Sequence, residues 1–61
     1  MIKFTATRYD LVQIAKYLRD NDHQNPLLGV INNAIQGAKM VQDCTILVTE
    51  FENQYLNELE I

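Results

Sequence analysis

The apolar pattern of the chain predicts an all-α fold. It is a helical hairpin in which a short helix over 8–20 folds back on a long, coiled-coil-like segment over 26–60, bent or broken near its middle. Three observations carry this. Leu11, Ile14, Ala15 and Leu18 make one helical stripe. The stretch DNDHQNP at 20–26 is rich in turn formers. Leu27, Ala34, Val41, Val48 and Tyr55 then recur at seven-residue intervals.

The elements follow in chain order within a single small domain. Ile2, Phe4 and Ala6 alternate with Lys3 and Thr5, which suits an extended arm over 1–7. Thr7 is a good N-cap, and Asp10 stands three residues on, as in a capping box. The first helix starts at Arg8, with Tyr9, Val12 and Lys16 on the face opposite the stripe. Asn25 is a favoured N-cap and Pro26 a favoured first helical residue. Beyond Pro26 a strand over 44–49 competes with the helix, because CTILVT is β-branched. Ile46, Leu47 and Val48 are consecutive, however, so alternation within CTILVT is poor. No Gly or Pro follows Gly37 to end a helix and start a strand. Met40, Val41, Cys44, Leu47, Val48, Phe51, Tyr55 and Leu59 fall in one helical arc of roughly 120°. A second seam runs through Val30 or Ile31, Ala38, Cys44, Phe51 and Leu59. Gly29, Asn33 and Gly37 recur every four residues, a small-residue strip that a second backbone would approach, or a kink at Gly37.

Size and charge bound the function. A chain of 61 residues buries only about 60% of its unfolded surface and is marginal alone. One cysteine, Cys44, allows no internal disulfide and suits a reducing compartment. Self-association is then the expected support. A first helix of about 13 residues covers some 20 Å of a segment that reaches roughly 50 Å, so the uncovered part calls for another chain, a homodimer first of all. No targeting signal is visible, and no apolar run approaches the roughly 20 residues that span a bilayer, so a cytoplasmic location without membrane contact is expected. Residues 1–39 carry a net +2, while residues 40–61 carry −5 and no Lys or Arg. The overall charge of −3, without a basic cluster, disfavours direct nucleic-acid binding.

Chemistry is sparse. Asp20, Asp22 and Gln24 alternate like the start of a calcium loop, but Asn25 and Ile31 stand where that loop needs glycine and glutamate. His23 and Cys44 are too few ligands for zinc. The chain has no serine and no phosphate-binding glycine loop. Cys44 lies on the apolar arc, where an inert buried thiol is the common case. No catalytic, cofactor-binding or metal-binding residue is assigned, and no cofactor is expected.

A non-enzymatic protein-interaction module is the function these observations favour, a regulator or inhibitor that binds a larger protein with a basic surface. Tyr9 and Val12 are expected at its interface, together with Val48, Phe51 and Tyr55 on the apolar seam. Glu50, Glu52, Glu58 and Glu60 supply an acidic face, Glu58 and Glu60 being placed against the dipole of a helix end. The alternatives are a homo-oligomeric assembly subunit built on a coiled coil and, more weakly supported, a helix-turn-helix DNA-binding regulator.

Overall fold

The computed structural model describes residues 1–59. In chain order they form strand β1 (Ile2–Thr7), helix α1 (Arg8–Asn21), helix α2 (Leu27–Ile35), strand β2 (Asp43–Val48) and helix α3 (Glu50–Glu58). The fold is therefore mixed α/β, 54% helical and 20% strand, and not an all-α helical hairpin. The extended arm is a paired strand, and the long coiled-coil segment does not form. A helix over 26–60 would reach roughly 50 Å, whereas the longest dimension of the molecule is 27 Å.

β1 and β2 pair antiparallel, with Ile2 opposite Val48, Phe4 opposite Ile46 and Ala6 opposite Cys44. Successive side chains of a strand point to opposite faces. This register therefore puts six apolar residues on one face of the sheet. Cys44, Ile46 and Val48 are buried there, and Ile2, Phe4 and Ala6 pack against the same core. The outer face carries Lys3 opposite Leu47, Thr5 opposite Thr45 and Thr7 opposite Asp43. The Thr5 and Thr45 hydroxyls meet at 2.9 Å across it. β2 outcompetes the helix because only the two-residue period matches the alternation of β1. Leu47, the residue that breaks the pattern, is simply an exposed apolar residue on the outer face.

α1 starts at Arg8, where Thr7 caps it by accepting from the Asp10 N–H at 3.2 Å. The two preceding N–H groups, which no helix can satisfy internally, are met by the loop before β2. Arg8 donates to the Gln42 carbonyl and Tyr9 to the Met40 carbonyl. The α1 stripe Leu11, Ile14, Ala15 and Leu18 is buried, and Leu27 and Ile31 of α2 join it in the core.

At the α1–α2 turn, Asn25 Oδ1 accepts from the Leu27 N–H at 2.9 Å, and Asn25 Nδ2 donates to Asp22 Oδ2 at 3.1 Å. Pro26 has helical φ and ψ at the head of α2. α2 stops at Gly37, whose φ of 74° is the left-handed conformation that glycine adopts without penalty. A Cβ at Gly29 or Gly37 would meet nothing within 4 Å, so among the described residues no other backbone approaches these two glycines.

β2 ends where a capping box begins. The Thr49 hydroxyl accepts from the Glu52 N–H at 3.1 Å, and Glu52 Oε1 accepts from the Thr49 N–H at 2.9 Å. Together they satisfy two donors and turn the chain from extended to helical within one residue. The heptad series is thereby dispersed. Leu27 and Val48 are core, Val41 is 82% exposed in the loop, and Tyr55 is half-buried on α3.

Candidate functional site

α3 leaves β2 and runs back beside the α1–α2 turn. Between them lies an open groove of about 560 Å³. Its wall is formed by Pro26 and Leu27 on one side and by Phe51 and Tyr55 on the other, with Asp22, Gln24, Asn25 and Glu52 adding polar atoms. Phe51 and Tyr55 stand four residues apart and so share one face of α3. Phe51 is 80% exposed, and Leu27 is buried as part of the core. A second hollow of about 210 Å³, between β1, α1 and α3, is lined by Phe4, Ala6, Asp10, Ile14, Leu56 and Leu59.

Asp22 and Glu52 are the charged residues of the groove, and both are acids. Each commits one oxygen to the fold. Asp22 Oδ2 accepts from Asn25, and Glu52 Oε1 caps α3. Among the described residues no hydrogen bond takes up the second oxygen of either. Burial, and then the neighbouring Tyr17 and Asp22, push the Tyr55 phenol above its usual value of 10.0.

The structure divides the residues expected at an interface. It gathers Phe51, Tyr55 and Glu52 in the groove. Glu50 is exposed in the same first turn of α3. Glu58 is exposed in the last turn, where its Oε1 accepts from Gln54 at 3.3 Å. Tyr9 is exposed and Val12 half-buried on α1, neither of them in the groove lining. Val48 is fully buried, with 0% exposure, and faces the core and not a partner. Glu60 lies outside the described residues. The sequence pattern missed Asp22, Pro26 and Leu27 as site residues because they serve the turn as well. The signal that points to them is the T-E-F-E capping box at 49–52, which fixes where α3 begins and hence which face it turns to the α1–α2 turn.

His23 is exposed in the turn and Cys44 is buried on β2, on separate elements. Among the described residues no three His, Cys, Asp or Glu side chains group to hold a metal ion. None of the described helices is long and apolar enough to cross a membrane.

The described residues form a small α/β domain that carries an acidic, aromatic-lined groove. No family model matches the chain, and no curated protein or solved structure matches it.

Proposed function

We propose that this chain is a small non-enzymatic protein-interaction module of the cytoplasm, a regulator or inhibitor that docks on a larger protein. The observation that carries the reading is Phe51. It is a large ring 80% exposed at the mouth of a groove, and large aromatic residues are enriched where proteins meet. Glu50 and Glu52 flank it, which favours a partner with a basic surface. The groove lining offers carboxylates, amides and rings.

The test is quantitative capture on the immobilised protein. The variants are Phe51→Asp and Glu50→Lys, because both positions are exposed and neither makes the cap. The reading expects a bound protein that wild type retains and both variants lose, with each variant still unfolding in one cooperative thermal transition. Equal retention by wild type and both variants contradicts it.

A homo-oligomer, a dimer first, is the second reading, on a different surface. Tyr9, Met40 and Val41 are exposed together where the 36–42 loop meets the start of α1. Sedimentation of wild type against Val41→Asp tests it. A dimer that dissociates in the variant supports it, and a wild-type monomer at micromolar concentration removes it.

A further inference from the structure

We infer that the groove between α3 and the α1–α2 turn receives one arginine side chain of a partner protein, presented between apolar residues. The inference deepens the proposed docking role and rests on it. It stands first on charge complementarity. The two charged residues of the lining, Asp22 and Glu52, are both carboxylates, and among the described residues no cation lines the groove with them. Each has one oxygen tied into the fold, and among the described residues no hydrogen bond takes up the other. A guanidinium carries five donors in a planar fork and pairs with carboxylates through more than one of them.

The walls supply the second argument. Phe51 and Tyr55 form one aromatic side, and a guanidinium stacks on aromatic faces where a compact ammonium does so less well. Pro26, exposed at the head of α2, gives the groove apolar surface for the methylene stem, with Leu27 buried beside it. A volume of about 560 Å³ holds one long side chain and its neighbours, within the range of about 300–1,000 Å³ usual for ligand clefts. The groove is also built to keep its shape. Asn25 ties the turn to Asp22, and the capping box ties Glu52 to Thr49. The carboxylates are thereby held before a ligand arrives, which lowers the ordering cost of binding.

The test uses N-acetylated, C-amidated five-residue peptides that are apolar at four positions. The central residue is arginine in one peptide and citrulline, its neutral isostere, in the other. Binding is followed by amide chemical shifts of the full chain at millimolar peptide. The arginine peptide is expected to shift Phe51, Tyr55, Asp22 and Glu52, and citrulline to weaken binding about tenfold. A double variant, Asp22→Asn with Glu52→Gln, is expected to weaken the arginine peptide about tenfold and leave the citrulline peptide unchanged. Both substitutions keep the hydrogen-bond acceptors that the turn and the cap need, so the fold is retained.

Equal affinity of the two peptides at the groove overturns the arginine inference and leaves the docking role standing. Shifts confined to Tyr9, Met40 and Val41 overturn it and move docking to that face. No shift at Phe51 or Tyr55 with either peptide removes the inference and the groove together.

Discussion

Val48 and Phe51 stand three residues apart, one with no exposed surface and the other almost wholly in water. A substitution therefore reads differently at buried and exposed sites of this chain. Leu18→Ala, at another fully buried position, is expected to cost about 2–5 kcal/mol. Phe51→Ala is expected to change stability by no more than about 0.5 kcal/mol. Urea unfolding checks both, and comparable losses at the two sites would contradict the burial pattern. The glycines make a second pair. Gly37→Ala forces a Cβ into the left-handed region and is expected to cost about 1–2 kcal/mol. Gly29→Ala, in mid-helix with open space around it, is expected to stabilise by up to about 1 kcal/mol. Thermal melts that move the same way would refute the assignment of Gly37 as the helix stop. Tyr55 gives a pH signature. Its folded pKa is raised, so the unfolded chain ionises first. The stability this gives is fully present below about pH 10, the unfolded value, and is lost as pH rises through the folded value. Urea midpoints should fall more between pH 8.5 and 11 for wild type than for Tyr55→Phe.

At the scale of elements, α3 depends on its first turn. Thr49→Ala removes half of the capping box and is expected to cost about 0.5–2 kcal/mol, read as a lower unfolding midpoint. Glu52→Gln keeps the box and should cost less. The same box explains why helices and strands were unequally legible. α1 was plain in the sequence because a cap at Thr7, a four-residue stripe and a turn signal agree. β2 was not, because CTILVT judged alone does not alternate. Its pattern becomes clear only beside Ile2, Phe4 and Ala6, about 40 residues away in the chain, a pairing that no local window contains. The missing Gly or Pro misled for a similar reason. Thr49 and Glu52 stop the strand and start a helix by hydrogen bonding, without either residue. The heptad series was a coincidence of spacing drawn from a helix, a loop, a strand and a second helix. Of the groove, Phe51, Tyr55 and Glu52 were visible as interface candidates. Asp22, Pro26 and Leu27 were not, since a turn gives no hint of which helix will pack beside it.

On the scale of the whole molecule, the radius of gyration of 10.5 Å equals the value of about 10.5 Å expected of a compact chain this long. The uncovered half-helix that called for a second chain does not exist, so the proposed dimer rests on exposed apolar residues such as Tyr9, Met40 and Val41. The groove, too, is a property of the whole chain. It exists because β2 pairs with β1 and delivers α3 back to the α1–α2 turn. Nuclear Overhauser contacts in solution test that arrangement most directly. Cross-strand contacts between Phe4 and Ile46, together with contacts from α3 to β1, are the predicted result. An unbroken series of helical i to i+3 contacts from Met40 through Tyr55, with no contact to β1, would contradict the fold and the groove at once.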